Sequence, residues 1–67
     1  MIIDFEDYNG NYIATIITNE IPNLMDYDAT KIIFNKYFNG NIIIEKIYDI
    51  VISTIRYIVR IDYRIPK

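Results

Sequence analysis

The stretch IIIEKIYDIVISTIRYIVRIDYRI, residues 42–65, limits the possible folds of this chain more than any other segment. It is rich in isoleucine, but a membrane-spanning helix needs about 20 predominantly apolar residues with few charges. Charged side chains interrupt the stretch at Glu45, Lys46, Asp49, Arg56 and Arg60. A membrane span is therefore excluded, and the choice lies between helix and strand.

The second half of this stretch has a strand pattern. After Arg56, apolar side chains occupy every second position: Tyr57, Val59, Ile61, Tyr63 and Ile65. Such alternation predicts a strand with one buried face. The first half, Ile42–Ile52, is ambiguous because Ile43, Ile44 and Ile47 also have helical spacing. We expect two strands, and a helix followed by a strand is the alternative.

A turn centred on Ser53-Thr54 would join the two strands into a hairpin. The resulting inner-face pairs include Ile50 with Tyr57, Tyr48 with Val59, Lys46 with Ile61 and Ile44 with Tyr63. This register also sets Glu45 opposite Asp62, and like charges in direct opposition destabilise a sheet. A bulge near Lys46 or a longer loop would relieve the repulsion.

Another hairpin is predicted near the start of the chain by Asn9-Gly10. A type I′ turn needs positive φ at both central residues, and Asn-Gly supplies it best. The register that follows pairs Asp7 with Tyr12, Phe5 with Ala14 and Ile3 with Ile16. Burying Asp4 and Glu6 without partners would be costly. We therefore expect the face with Ile3, Phe5, Ala14 and Ile16 to line the core.

A connector and a helix lie between the hairpins. Pro22, within TNEIPNLMDYD, can continue neither a strand ladder nor a helix interior. Asp26 or Asp28 can cap the helix that follows, ATKIIFNKYF, and Asn39-Gly40 supplies its left-handed stop. The apolar face of this helix is expected to contain Ala29, Ile33, Phe34, Tyr37 and Phe38, and the polar face Asp28, Lys31, Asn35 and Asn39.

The predicted order of elements is strand-strand-helix-strand-strand. A chain of 67 residues makes one domain, residues 1–67. The expected fold is α+β, a four-stranded antiparallel sheet with one helix packed on one face.

Several classes of function lack the residues that they need. The chain has no cysteine and no histidine, and it shows no nucleophile-base pair, phosphate loop or metal-ligand spacing. Two pairs of carboxylates have structural explanations. Asp4 and Glu6 are explained as solubilising charge on a strand edge, and Asp26 and Asp28 as helix caps. We therefore predict no catalytic residue, cofactor or metal. The first four residues do not resemble a signal peptide, so a cytoplasmic location is expected.

Charge is divided unevenly along the chain. Residues 1–30 carry six acidic side chains and no base, a charge of −6, while residues 31–67 carry seven basic and three acidic ones, a charge of +4, which together give −2. Such halves can neutralise each other inside one fold. Alternatively, the acidic half could imitate a phosphate backbone and occupy a basic groove on a partner.

The sheet face away from the helix is predicted to be about half apolar, whereas the exposed face of an antiparallel sheet is normally polar. Contiguous exposed apolar area is typical of an interaction site. We expect a protein partner there, or a second copy in a homodimer. Codon bias toward isoleucine is the non-functional explanation. The predicted contact residues are Asp4, Glu6, Ile13, Ile17, Ile47, Val51, Arg56, Ile58 and Arg60.

Nucleic-acid binding is the alternative function. Arg56, Arg60 and Arg64 form a basic stripe on one face of the last strand, as phosphate contacts would require. Tyr57 and Tyr63 point to the other face, so bases would lack a stacking platform beside the stripe. Cross-strand ion pairs with Glu45, Asp49 and Asp62 are the structural explanation of the same arginines.

The layout of NYIATIITN, DYDATKIIFNKYFNGN, IIIEKIYDI and RYIVRIDYR resembles that of small phage and viral αβ proteins that block host machinery. Some anti-CRISPR proteins share it, and phage RNA polymerase inhibitors do so more loosely. The resemblance implies a stoichiometric inhibitor of a host defence or transcription complex, without an active site, in the host cytoplasm. It concerns size and order of elements, so no family residue is transferred.

Overall fold

The computed structural model describes residues 1–19 and 25–67. Its elements are β1 (Ile2–Glu6), β2 (Tyr12–Ile17), α1 (Tyr27–Phe38), β3 (Ile43–Ile52) and β4 (Arg56–Arg64). The predicted α+β class and order of elements are confirmed. Residues 43–52 form a strand, so the helical alternative is wrong. Pro22, predicted to interrupt the connector, lies outside the described residues.

The sheet is mixed, and the prediction of a purely antiparallel sheet is wrong. The strand order is β2-β1-β4-β3. Both hairpins are antiparallel, but β1 and β4 pair in parallel at the centre, from Ile2 opposite Arg56 to Glu6 opposite Arg60. Each hairpin has a short connection that fixes its direction, whereas no local signal fixes how the two hairpins join. The pairing of β1 with β4 therefore depends on tertiary packing.

The first hairpin keeps the predicted core pairs and gains a bulge. Ile3 lies opposite Ile16 and Phe5 opposite Ala14, as predicted, but the register then shifts so that Glu6 faces Tyr12. The predicted pairing of Asp7 with Tyr12 is wrong. Ile13 is the additional residue, and it packs against the core beside Ala14.

The turn of this hairpin is also not the predicted type I′. Gly10 has a φ of 85°, but Asn9 does not have a positive φ. The Gly10 N–H donates to the Asp7 carbonyl at 3.0 Å, and the Asp7 N–H donates to the Asn11 carbonyl at 2.9 Å. A turn that ends on a glycine in this conformation is typical of the longer hairpin loops.

The second hairpin contains two register shifts, between Ile44 and Lys46 and between Ile47 and Asp49. Ile44 opposite Tyr63 is confirmed, and a bulge near Lys46 was the expected relief. Ile47 turns inward to Ile61, while Lys46 moves out to face Asp62, so the inner face stays apolar. Repulsion between Glu45 and Asp62 is replaced by a pair of opposite charges.

The turn of the second hairpin lies later than predicted. Ile52 pairs with Tyr57, and the Ser53 N–H donates to the Arg56 carbonyl at 2.8 Å. The central residues are therefore Thr54-Ile55 and not Ser53-Thr54. The predicted pairing of Ile50 with Tyr57 is wrong, because Ile50 faces Val59.

Helix α1 begins and ends as its caps predict. The Asp26 carboxylate accepts a hydrogen bond from the Ala29 N–H at 3.0 Å, and Asn39 has left-handed φ and ψ of 49° and 42°. Phe34 and Phe38 are buried and set their rings edge-on to Phe5, with centroids 4.9 and 5.0 Å apart. The buried hydrophobic core consists of Ile3, Phe5, Ile16, Phe34, Phe38, Ile44, Ile47, Val59 and Ile61.

Two polar residues of α1 differ from their predicted position in solvent. The Asn35 side chain donates from Nδ2 to the Ile44 carbonyl at 3.2 Å and accepts from the Ile44 N–H at 2.8 Å. Lys31 Nζ reaches the Glu45 carbonyl at 3.4 Å. Tyr37, predicted for the apolar face, is exposed. The helix therefore lies nearer the β3 edge than a centred position would place it.

Candidate protein-contact face of the sheet

The sheet face opposite α1, called the outer face here, is the candidate functional surface. Because residues directly opposed in a ladder point to the same side of the sheet, the observed registers assign its members. They are Ile2, Asp4 and Glu6 of β1, Tyr12, Thr15 and Ile17 of β2, Ile43, Lys46, Asp49 and Val51 of β3, and Arg56, Ile58, Arg60, Asp62 and Arg64 of β4.

Two of the predicted contact residues do not lie on the outer face. Ile47 is buried in the core, and Ile13 packs against the core. In both hairpins the bulges cause the difference, because an additional residue reverses the side to which the following residues point. The remaining predicted residues share the outer face: Asp4, Glu6, Ile17, Val51, Arg56, Ile58 and Arg60.

An ion pair crosses the centre of the outer face from β1 to β4. Arg56 Nη1 lies 2.6 Å from Asp4 Oδ2. The Thr15 hydroxyl donates to Asp4 Oδ1 at 2.7 Å, and the Tyr12 hydroxyl lies 2.8 Å from the same Thr15 oxygen. These contacts lower the pKa of Asp4, first through Thr15 and then through Arg56. Asp4 is thereby engaged by both of its neighbouring strands.

Arg60 joins carboxylates on the two strands that flank β4. Its Nε lies 3.1 Å from Glu6 Oε1 and its Nη1 3.7 Å from Asp49 Oδ2. Chiefly the hydrogen bond to Glu6, and then the charge of Asp49, raise the pKa of Arg60. Asp49 Oδ1 is enclosed and has no hydrogen-bond partner among the described residues. Further along, Arg64 Nε lies 3.7 Å from Glu45 Oε2.

The basic stripe therefore exists in the predicted geometry, but its charge is compensated. Arg56, Arg60 and Arg64 each have a carboxylate within 4 Å. Tyr57 and Tyr63 are partly buried and pack against the core, so neither offers a ring face beside the arginines. Two acidic residues of the first half, Asp4 and Glu6, neutralise basic residues of the second half.

Apolar side chains occupy the end of the outer face near the second turn. Ile17 lies opposite Ile2, and Val51 lies opposite Ile58, which in turn neighbours Asp4. Ile17 is 77% exposed and Val51 45%. These four residues, one on each strand, are called the isoleucine-valine patch here. They form two pairs, Ile2 with Ile17 and Val51 with Ile58, on either side of the Asp4–Arg56 ion pair. An apolar group of this kind on an exposed sheet face is typical of a binding surface.

Tyrosines occupy the other end, near the first turn. The rings of Tyr8 and Tyr48 meet edge to face with centroids 5.1 Å apart, and Lys46 Nζ lies 4.8 Å from the centre of the Tyr48 ring. Burial, followed by the charge of Asp62, raises the pKa of Tyr48. Tyr8 and Tyr12 are largely exposed. Tyrosine combines a large apolar surface with a hydroxyl, and it is enriched at protein interfaces.

The sequence interpretation assigned Tyr48 to the wrong face of the sheet for a structural reason. A regular strand places Tyr48 on the inner face opposite Val59, and only the bulge moves it outward. The sequence feature that could have indicated this bulge is the spacing of Ile44 and Ile47. Two residues three positions apart cannot both point inward from a regular strand, so burying both requires an additional residue between them.

Among the described residues, no three or more acidic side chains group closely enough to hold a metal ion. In the same part of the chain, none of the helices has the length and apolar character to cross a membrane. Comparisons with protein-family models, with curated proteins and with solved structures gave no match. The resemblance to small phage and viral inhibitors therefore stays a prediction.

Proposed function

We propose that this chain is a non-enzymatic protein-binding domain that contacts its partner with the outer face of the sheet. The observation that carries the proposal is the internal pairing of charge on that face. Because the arginines and carboxylates neutralise each other across strands, the groups left to form contacts are the isoleucine-valine patch and the tyrosines. Protein interfaces combine such apolar and aromatic centres with paired polar groups.

The same observation disfavours the nucleic-acid alternative. Binding to nucleic acid gains most of its affinity from lysines and arginines that neutralise phosphates. Arg56 and Arg60 would have to exchange Asp4 and Glu6 for phosphate, and these carboxylates would remain beside the phosphates. Phosphate binding would therefore meet repulsion at the centre of the face.

A partner that fits this surface has an apolar patch bordered by charges of both signs. Binding would bury Ile17, Val51 and Tyr8, which are exposed in the isolated chain. The resemblance to phage and viral proteins gives the proposal a specific form, in which the chain blocks a host defence or transcription complex in the host cytoplasm. In that form steric occupation of the partner is sufficient, and no reaction is required.

The test is affinity capture with two matched variants from the cells in which the chain acts. Val51→Asp places a charge inside the isoleucine-valine patch, while Ile32→Asp places one on the exposed side of α1, where Ile32 is 59% exposed. We expect Val51→Asp to lower the affinity for the partner by about 100-fold, because substitutions at the centre of an interface have the largest effects. Ile32→Asp should retain it. Equal capture by both variants would contradict the proposal.

Binding to labelled single-stranded and duplex oligonucleotides tests the alternative. Fluorescence anisotropy at about 50 and 200 mM salt should show no specific complex, whereas a protein making several phosphate contacts loses about 10³-fold or more in affinity over this range. Tight, strongly salt-dependent binding that Arg60→Ala weakens for all sequences alike would favour the nucleic-acid function instead.

A further inference from the structure

The two edges of the sheet differ in how far they are protected from another strand. The β3 edge has bulges at Glu45 and Tyr48, and α1 covers part of it. Asn35 satisfies both backbone groups of Ile44, and Lys31 reaches the next carbonyl. Bulges and coverage by a helix are the usual protections against edge-to-edge pairing.

The β2 edge lacks most of these features. Its sequence, YIATII, contains no charged residue, proline or glycine. Five of its six residues are β-branched or aromatic, the types that favour strands. Among the described residues, β2 pairs only with β1. The single irregularity is the bulge at Ile13, and the four residues of β2 that follow it pair regularly with β1. Residues 15–17 therefore form a regular, uncharged edge.

The hydrogen bonds of the ladder show which backbone groups point outward. The Thr18 N–H donates to the Met1 carbonyl at 3.0 Å. Hydrogen-bonded pairs alternate with non-bonded pairs along an antiparallel ladder, so Ile16 also bonds to β1. Thr15 and Ile17, the residues on either side of Ile16, turn their N–H and C=O groups to the open edge.

We propose that a second copy of this chain covers this edge, with the two β2 strands paired antiparallel about a twofold axis at Ile16. In this register Thr15 of each copy lies opposite Ile17 of the other. Each N–H of these residues then donates to a carbonyl of the opposing strand. The two sheets join into one continuous sheet.

Charge and side-chain chemistry select a second copy as the occupant. Self-pairing places like charges opposite each other wherever a strand is charged, and β2 has none. On the outer face, Thr15 and Ile17 pack against each other across the axis, which covers the largely exposed Ile17 side chain. On the inner face, the two Ile16 side chains meet. Every paired group is neutral, so the dimer should withstand high salt.

This interaction goes beyond the proposed function, because it uses the sheet edge and leaves most of the outer face accessible. Across the twofold axis, the isoleucine-valine patches of both copies become neighbours. A partner protein would then meet a surface about twice as wide as that of one chain.

Sedimentation equilibrium over a wide concentration range tests the proposal with three proteins. The wild type should form a dimer that is insensitive to salt. Ile17→Pro removes an outward N–H without removing a bond to β1, and it should weaken the dimer about 10- to 100-fold, as the loss of these hydrogen bonds implies. Ile17→Val keeps the N–H and should remain dimeric. A monomeric wild type at all concentrations would overturn the proposal.

Circular dichroism shows whether Ile17→Pro is folded. If it is not, amide hydrogen exchange of the wild type decides the question. The Thr15 and Ile17 amides should exchange slowly in concentrated samples and quickly in dilute ones, and rapid exchange at every concentration would refute edge pairing. Val51→Asp separates this proposal from the proposed function. A dimer that survives Ile17→Pro but dissociates with Val51→Asp would place self-association on the outer face and would contradict edge pairing.

Discussion

The Asp7 carboxylate fixes the first turn by accepting three hydrogen bonds. The N–H groups of Asn9 and Asn11 donate to Oδ1 at 2.9 Å each, and Asn11 Nδ2 donates to Oδ2 at 3.1 Å. Asn9-Gly10 correctly predicted a turn here, but the predicted type I′ is wrong. The conformation of the turn depends on Asp7, whose side chain accepts hydrogen bonds from nearby backbone N–H groups. Gly10 was identified correctly, since its φ of 85° suits glycine.

Replacing Asp7 should lower stability in a pH-dependent way. The hydrogen bonds, above all that from the Asn11 backbone, lower the pKa of Asp7. A carboxyl with a lowered folded-state pKa contributes stability above its unfolded pKa of about 3.9, and this contribution is lost as pH falls through the folded value. Asp7→Ala should therefore melt at a lower temperature than the wild type at pH 7, and the difference should shrink below about pH 4.

Asp7→Asn is the matched control for this effect. It keeps an oxygen acceptor for the backbone but cannot ionise, so its melting temperature should lie between those of Asp7→Ala and the wild type at pH 7. Thermal unfolding followed by circular dichroism from pH 2 to 7 makes the comparison. A difference between Asp7→Ala and the wild type that stays constant with pH would show that the charge of Asp7 has no part in stabilising the turn.

At the scale of elements, the long strand β3 shows where sequence patterns are sufficient and where they are not. Strand β4 followed from apolar alternation, and β3 and the pair Ile44–Tyr63 followed from the hairpin register that places apolar residues on one face. The shifts around Lys46 and Asp49 could not be placed by a regular period, because burial of Ile47 competes with regular hydrogen bonding. The role of Asn35 was hidden as well, since a polar residue on a helix is ordinarily solvated.

Asn35 should stabilise the fold by acting as a local substitute for a neighbouring strand. Asn35→Leu would leave the Ile44 N–H and C=O without partners beside a buried side chain, at a cost of about 1–3 kcal/mol for each orphaned group. Asn35→Asp keeps the acceptor and loses the donor, so it should cost less. Lys36→Leu, on the exposed side of the same turn of α1, is the control. Urea denaturation measures the free energy of unfolding of all three.

Hydrogen exchange of the Ile44 amide tests the same contact independently. Its exchange with solvent should accelerate in Asn35→Leu and remain slow in Lys36→Leu. If Asn35→Leu unfolds at the same urea concentration as the wild type, the prediction that the Asn35 hydrogen bonds stabilise the β3 edge is wrong.

At the scale of the whole molecule, the arrangement of the sheet distributes charge and apolar surface together. Parallel pairing of β1 with β4 brings Asp4 to Arg56 and Glu6 to Arg60, although these residues lie far apart in the sequence. The sequence alone could show the opposite charges of the two halves and the excess of apolar residues on one face. It could not show the pairing, because contacts between the two hairpins carry no short-range signal. The core residues Phe34 and Phe38 were predictable, since helical spacing alone assigns them.

Methyl NMR of isoleucine-labelled protein in an extract of the cells where the chain acts tests the central claim most directly. The isoleucines provide probes on every surface, including Ile58 on the outer face, Ile32 on α1 and Ile55 in the second turn. If the outer face binds a protein, the Ile58 signal should broaden or shift in extract and after nuclease treatment, while those of Ile32 and Ile55 remain unchanged. An unchanged Ile58 signal, or changes confined to Ile32 or Ile55, would contradict the proposed function.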